Sequence, residues 1–318
     1  MAEIIGIDAG CGSTVIYSHE RGVILKEPSV MAFHRETGQQ VAAGRDVWDL
    51  DNRAGLYKVL YPVREQKYVR ELMRYFLEKA CYGREVLRPQ VVFTVRCDMA
   101  HSTVMEMKKG FWDADAREAF MYPRLLAEGY GSGVKISSLE ASFVLRMGQS
   151  VTEMALIAEN RILRPAFLYL GGRDVDRELK RWFKLRVGLI VSEKEAEHIR
   201  IHMPSLIVSA PMQKLCVRGR DVFSGAITEK SVSVMEIKKC LLKAYSPLID
   251  GITEFLEGTP EPARSDAFER GMLFTGGVSG QAGLPEYIER ETGLMVLQAP
   301  GKIEKCASAA VELYKRRR

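Results

Sequence analysis

Twice along this chain a short apolar strand runs into a turn of small residues and returns as a second strand, and this repetition restricts the fold more than any other feature. The opening copy reads Ile4-Ile5-Gly6-Ile7-Asp8, then Ala9-Gly10-Cys11-Gly12-Ser13-Thr14, then Val15-Ile16-Tyr17, which is a strand, a tight turn and a returning strand. In the second copy, residues 143–145 and 153–158 form the strand pair around a turn, and a further strand at 166–170 ends in Gly171-Gly172. Two such halves predict an internal duplication facing a common cleft. A length of 318 residues agrees, because a single core stops growing below it and two domains or one deeply cleft body are expected.

Between the copies, strands are read at 23–25, 29–33, 41–43 and in the buried run Val91-Val92-Phe93-Thr94-Val95. Another, Met272-Leu273-Phe274-Thr275, enters the turn Gly276-Gly277. Val69, Leu72, Met73, Phe76 and Leu77 recur at helical spacing and predict a helix over 67–79 that buries one face. Helices are also predicted at 103–112, 174–183, 192–202, 235–256 and 285–292. The third of these opens Ser192-Glu193-Lys194-Glu195, the form of a capping box, and 259–262 reads as a Pro-rich linker.

Composition excludes several classes. Hydrophobic residues make up 47% and charged residues 27%, which fits an ordinary folded domain rather than a disordered or collagen-like chain. No apolar run reaches the roughly 18–20 residues that cross a bilayer, and the first strand follows Met1 too closely for a signal peptide. The cysteines (Cys11, Cys81, Cys97, Cys216, Cys240, Cys306) lack any CxxC pair, which argues for cytosolic thiols and against structural zinc. A net charge of +5 is spread along the chain except at Lys315-Arg316-Arg317-Arg318, so nucleic acid is not an expected partner. His198 and His202 stand four apart on a predicted helix without a carboxylate at metal spacing, and are assigned no metal.

Three separated stretches resemble the actin, sugar kinase and Hsp70 nucleotide-binding superfamily, and within it the bacterial actin family MreB. The first is Ile5 to Thr14, followed by Gly22-Val23-Ile24-Leu25-Lys26-Glu27-Pro28-Ser29-Val30. The second, Glu195-Ala196-Glu197-His198-Ile199-Arg200, is similar to the helix that touches adenosine, and the third, Gly271 to Gly277 with Glu291-Thr292-Gly293-Leu294, to the adenosine motif. The resemblance implies an α/β, actin-like fold, a duplicated ribonuclease H-like fold of two lobes with an interlobe nucleotide cleft. Lobe I would span 1–140, with a small subdomain at about 34–66 and a helix at 302–318 returning to it. Lobe II would span 141–301, with a small subdomain at about 184–233. ATP or ADP would be held by Asp8, Gly10, Cys11, Gly12, Ser13 and Thr14, by Gly148, Gln149, Ser150 and Thr152, by Gly171 and Gly172, by Glu197 and Arg200, and by Gly276, Gly277 and Val278. In such turns, glycines and small side chains let backbone N–H groups approach phosphate oxygens, and a carboxylate such as Asp8 can hold hydrated Mg²⁺.

The chain departs from the family pattern where hydrolysis takes place. Against Asp-x-Gly-Gly-Gly-Thr-Thr-Glu it reads Arg146-Met147-Gly148-Gln149-Ser150-Val151-Thr152-Glu153. In place of the catalytic glutamate before a Pro and a small-residue helix, the segment Tyr122-Pro123-Arg124 assigns Arg124, and Gly-Gly-Asp has become Gly171-Gly172-Arg173. The third glycine of the adenosine motif is Val278. Guanidinium accepts no proton and repels a divalent cation, so a degenerate site with no catalytic residue is expected and Mg²⁺ is disfavoured. Arginine also pairs with phosphate directly. Two readings stay open: a metal-sparing nucleotide pocket without hydrolysis, or a cleft that has lost nucleotide and is held together by its arginines.

The loop Gly83-Arg84-Glu85-Val86-Leu87-Arg88-Pro89 places Val86 and Leu87 between basic residues. The resemblance implies a membrane-inserting tip there, on anionic lipid at the inner face of the cell membrane. The expected function is thus a cytoplasmic, membrane-peripheral, cell-shape filament that assembles with itself or an active MreB paralogue, with hydrolysis absent or greatly reduced. The alternatives are a non-polymerising actin- or Hsp70-fold module and an active ATPase with rearranged acidic groups.

Overall fold

The opening apolar strand lies in the middle of a five-stranded sheet, paired on both edges. The structure, a computed structural model, describes residues 3–50, 55–82, 88–207, 212–299 and 304–316. The chain divides into two units: Met1–Ile136 with Lys302–Arg318, and Ser137–Gly301.

In the first unit β1 (Ile4–Ala9), β2 (Ser13–Ser18) and β3 (Gly22–Pro28) form an antiparallel meander. Strands β4 (Met31–His34), β5 (Gln40–Ala43) and β6 (Tyr57–Leu60) make a separate small sheet in the order β5-β4-β6. There follow α1 (Pro62–Glu65), α2 (Val69–Cys81), β7 (Gln90–Val95), α3 (His101–Asp113), β8 (Glu118–Pro123) and α4 (Arg124–Gly131). Strands β7 and β8 join in parallel, completing the order β3-β2-β1-β7-β8. The periodic face of α2 is buried as its spacing requires, with Leu72, Met73, Phe76 and Leu77 packed in one core with Ile5, Ile7, Phe93 and Phe111.

The second unit repeats this plan with β9 (Ser142–Met147), β10 (Thr152–Ala158) and β11 (Arg161–Leu168). It continues through α5 (Gly172–Trp182), β12 (Leu189–Ile190), α6 (Glu193–Ile201), β13 (Lys214–Asp221) and β14 (Ile227–Ser233). Then come α7 (Val234–Glu257), α8 (Glu261–Arg270), β15 (Met272–Thr275), α9 (Leu284–Thr292) and β16 (Val296–Gln298). Its main sheet runs β11-β10-β9-β15-β16, an antiparallel meander extended by two parallel strands, in the same topological order as the first. Strands β12, β13 and β14 form a second small sheet. Phe143, Leu145, Val175, Leu179, Leu241 and Leu248 share its core.

Helix α10 (Lys305–Arg316) belongs to the first unit and lies against β1. The contact is close enough that a Cβ on Gly6 would stand 2.3 Å from the Ala307 carbonyl oxygen, so only glycine fits there. Two of the segments read in the sequence differ, and β6, β8, β12, β13 and β14 were not read. The segment read as a linker starts α8, with Pro260 as N-cap and Pro262 in the first turn, where a missing N–H costs nothing. The strand expected at 166–170 begins earlier, at Arg161.

Candidate functional site

The two small-residue turns are built alike. In the first, the Gly10 amide donates to the Ser13 carbonyl at 3.0 Å, and in the second the Gly148 amide donates to the Val151 carbonyl at 3.0 Å. Each closure leaves two tip residues, Cys11-Gly12 and Gln149-Ser150, whose amides have no hydrogen-bond partner among the described residues. The Gln149 Oε1 and the buried Ser150 Oγ are also unpartnered. Successive unpaired amides at a turn make a concave, partly positive surface that suits an anion. Thr14 and Thr152, at equivalent register positions, are fully buried and point elsewhere. Thr14 shares a 2.8 Å hydrogen bond with Ser29, and Thr152 donates to the Leu170 carbonyl at 2.7 Å, so both hold neighbouring chain in place.

Asp8 sits at the end of β1 and is 2% exposed. Its Oδ1 accepts from Thr94 Oγ1 at 2.5 Å and from Arg124 Nε at 2.9 Å. Arg124, the first residue of α4, also donates from Nη2 to the Ala9 carbonyl at 2.7 Å. Glu128, one turn further along α4, and Cys306 on α10 bring potential ligand atoms to within 4.8 Å of Asp8. The Arg124 guanidinium offsets the attraction of Asp8 for a divalent ion, while Glu128, a second buried carboxylate in the cluster, adds attraction of its own. Asp8, Glu128 and Cys306 are thus a candidate metal-ligand set with Arg124 paired to one of its members. A second guanidinium lies under the same turn: Arg96 donates from Nη1 to Cys11 Sγ at 2.8 Å and makes a bidentate pair with Asp98. Thr94, Arg96, Asp98, Glu128 and Cys306 were not singled out in the sequence, because their roles depend on Asp8 and Cys11, more than 80 positions away for Thr94 and Arg96.

The order of residues around Pro123 leaves two residues near the family's glutamate position. The residue before Pro123 is Tyr122, which is buried at the end of β8, and Arg124 comes after the proline. Arg124, the residue assigned to that position in the sequence, is paired with Asp8.

In the second unit Gly171 and Gly172 open α5 against the turn of β9 and β10. A Cβ on Gly171 would lie 2.4 Å from the Ser150 nitrogen, and the amides of Gly172 and Arg173 donate to the carbonyls of Gly148 and Gln149 at 3.0 and 2.8 Å. The first amides of α5 are thus spent on the turn. Gly276, with φ of +99°, would bring a Cβ to 2.3 Å from the Met147 carbonyl oxygen and locks the β15 turn to the end of β9; Gly277 has open space. Val278 is buried and, with Arg200, faces Gly172. Arg146 lies opposite the buried Glu153, and Arg173 pairs with the exposed Glu193 at 3.5 Å.

Arg200 is held by Asp176, its Nε donating at 2.6 Å, while Glu197 stands 3.7 Å from the same guanidinium. Burial raises the Asp176 carboxyl above its ordinary range, against the pull of Arg200, and burial likewise pushes the nearby Tyr245 phenol up. Asp176 and Tyr245 were also missed, since neither falls in a motif. The structure thus groups Asp8 with Arg124 in one unit, and the second turn with Gly171 to Arg173, Arg200 and Val278 in the other. Val86 and Leu87 lie outside the described residues.

A family model described as MreB/Mbl protein matches residues 2–317. The chain belongs to the MreB/Mbl family. The cell shape-determining protein Mbl of Bacillus subtilis (strain 168) is 22% identical over 309 residues, covering 95% of this chain and 93% of that protein. MreB of Escherichia coli (strain K12) is 27% identical over 307 residues, covering 93% and 88%. Among solved structures, MreB 5 of Spiroplasma citri bound to AMPPNP has a TM-score of 0.90 at 20% identity, over 100% of this chain and 97% of that one. The MamK double helical filament has a TM-score of 0.77 at 16% identity, covering 98% of each chain. The fold is the actin-like α/β fold that the sequence led one to expect, and among the described residues no helix is long and apolar enough to cross a membrane.

Proposed function

We propose that this family member is a cell-shape cytoskeletal protein that assembles head to tail into filaments, binds adenine nucleotide, and hydrolyses it slowly or not at all. The observation that carries the nucleotide part is the matched pair of turns with unpaired tip amides at Cys11-Gly12 and Gln149-Ser150. Support comes from relatives named as cell shape-determining proteins and from a similar fold described as bound to AMPPNP and, in another crystal, to ADP. Filament formation is supported by the MamK filament and by the general tendency of non-closing heterologous contacts to propagate.

Slow hydrolysis is argued from the loss of acids: Arg124 assigned to the glutamate position, Arg146 and Arg173 at two aspartate positions, and Asp8 already paired. A positioned acid or base contributes about 10²–10⁴-fold, so phosphate release should fall at least about 10²-fold below that of E. coli MreB assayed alongside. Pelleting and electron microscopy with ATP test assembly. A chain that stays monomeric at high concentration, in solution and on lipid, would be a non-polymerising module instead, and phosphate release at the relative's rate would restore the active-ATPase reading.

Attachment to the cytoplasmic face of the membrane through Val86 and Leu87, flanked by Arg84 and Arg88, belongs to the same proposal, as does co-assembly with an active paralogue. The variant with both Val86 and Leu87 changed to Ser should lose binding to anionic liposomes. Unchanged binding removes the membrane part and leaves the rest.

A further inference from the structure

We propose that the second unit carries a lipid-docking surface of its own, the tip of its small sheet, where exposed apolar side chains stand among unpaired cations and meet an anionic bilayer. This goes beyond the attachment at Val86 and Leu87, which belongs to the first unit, and uses none of its residues.

Two segments build the tip. The chain leaves α5 through a single π-helical turn, Phe183–Val187, in which Phe183 is buried while Lys184, Leu185 and Arg186 are all exposed. The hairpin of β13 and β14 folds back onto the end of that turn: the Val222 amide donates to the Gly188 carbonyl at 3.0 Å, and Lys230 Nζ donates to the Val187 carbonyl at 3.0 Å. A Cβ on Gly188 would lie 3.7 Å from the Phe223 ring, so the ring stands beside the turn. Asp221 fastens the hairpin loop, accepting from Lys230 and from the amides of Phe223 and Ser224. Phe223 is nevertheless 93% exposed, with Leu185 at 67% and Ile227 at 65%. A phenyl ring held in water by an ordered loop costs free energy that burial against something else recovers.

The charge around it is mainly of one sign. Ile190, Arg220 and Ile227 lie side by side in register on the outer face of the sheet, with Arg218 two residues before Arg220. Arg220 reaches across the loop to donate to the Gly225 carbonyl at 3.0 Å. Lys184, Arg186, Arg218 and Arg220 make no ion pair among the described residues. Against these four, Glu229 opposite Arg218 is an exposed acid on the same face, and the charge of Asp221 is matched by Lys230. Positive charge is therefore left over, beside apolar side chains.

Exposure selects the occupant. A ring that is 93% exposed lies in no groove, so the tip offers a peptide or a small anion nothing to close around. A bilayer interface needs no matching shape: its acyl region takes up the apolar side chains, and lipid phosphates pair with the ammonium and guanidinium groups beside them. One small apolar anchor binds only marginally and stable docking takes two signals, so this tip and the Val86-Leu87 loop would each be needed.

The test is co-sedimentation of the full chain with vesicles of phosphatidylcholine containing about one-third phosphatidylglycerol, and with vesicles of phosphatidylcholine alone. Leu185→Ser with Phe223→Ser, and separately Lys184→Ser with Arg186→Ser, should each lower partition onto the anionic vesicles about tenfold or more, although Val86 and Leu87 are intact. All four side chains are exposed, and circular dichroism checks that the fold is kept. Phe223→Trp reads the contact directly: brominated acyl chains should quench its emission beyond the quenching of the wild-type tryptophans. Unchanged partition of either paired variant, or no added quenching in Phe223→Trp, overturns the proposal and leaves attachment through Val86 and Leu87 standing. Equal partition of the wild type onto the neutral vesicles removes the role of the cations and also overturns it. Paired variants that keep lipid binding but no longer pellet as filaments assign the tip to a contact between copies, which overturns it as well. Full binding by the variant with Val86 and Leu87 changed to Ser, with loss in the tip variants, removes the earlier attachment and leaves this one. No binding of the wild type to anionic vesicles overturns both.

Discussion

Arg124 is the largest fully buried side chain among the described residues, and it is a charged one. Such a group persists only if it is paired, and its partner Asp8 is equally buried. Removing one member leaves the other uncompensated, so Arg124→Met should cost about 3–5 kcal/mol of stability. The double variant Asp8→Asn with Arg124→Met should recover much of that loss, because both charges are then gone. Urea unfolding of the four proteins measures the coupling, and strictly additive losses would mean that the pair does not interact. The sequence made the arginine legible as a charge of the wrong sign for the family, but not its partner, which lies 116 positions away. A second residue, Cys240 on α7, shows how burial, helped by the nearby Glu178 carboxylate, acts on a thiol. Burial pushes its thiol from about 9 up to about 11. The unfolded chain then releases this proton first, so the contribution to stability is complete below pH 9 and is lost as pH rises from 9 to 11. Between those pH values the melting temperature of Cys240→Ala should fall less than that of the wild type. Equal falls would place the thiol's titration at its ordinary value.

At the scale of elements, legibility followed periodicity. Helix α2 was readable because Val69, Leu72, Met73, Phe76 and Leu77, all buried, recur at helical spacing, and α6 because Ser192 caps it, its Oγ accepting from the Glu195 amide at 3.1 Å. Helix α8 was not, since it buries only Ala267 and begins with two prolines that also suit a linker. Strand β11 was read too short because Arg161, Arg164 and Pro165 interrupt its apolar pattern; as the edge of its sheet it tolerates them. Helix α7 is the informative case, since it runs 24 residues with Pro247 inside it. Proline offers no N–H to the Lys243 carbonyl four residues earlier, and Ser246 Oγ donates to that carbonyl instead, at 3.1 Å. With this substitute in place, Pro247→Ala should stabilise the protein by about 1–2 kcal/mol, less than the full penalty of an interior proline. The change is read from urea unfolding. A loss of stability would show that the packing of the buried Tyr245 and Leu248 on either side requires the proline.

For the whole molecule, what was duplicated is position rather than residue identity. Ala9 and Met147 pair with Thr14 and Thr152, and Gly10 and Gly148 close the same turn with the same hydrogen bond. Both sheets add two parallel strands on the same side of the meander. The strand-turn-strand layout made this visible in the sequence, because two peptide turns that present amides must be short, small and flanked by buried strands whatever the other side chains are. The chemistry attached to the turns was less visible, since charge complementarity depends on which residues from distant strands and helices meet. One consequence concerns filament lifetime. In an assembly whose subunits hydrolyse nucleotide, the subunits age, and ATP-built polymers come apart faster than those built with an analogue that cannot be cleaved. Under the slow hydrolysis proposed above, filaments of this chain have no such clock. Filaments assembled with ATP and with AMPPNP should therefore disassemble at the same rate on dilution, followed by light scattering. Faster loss of the ATP filaments, accompanied by phosphate release, would show that another group in this chain orients the attacking water.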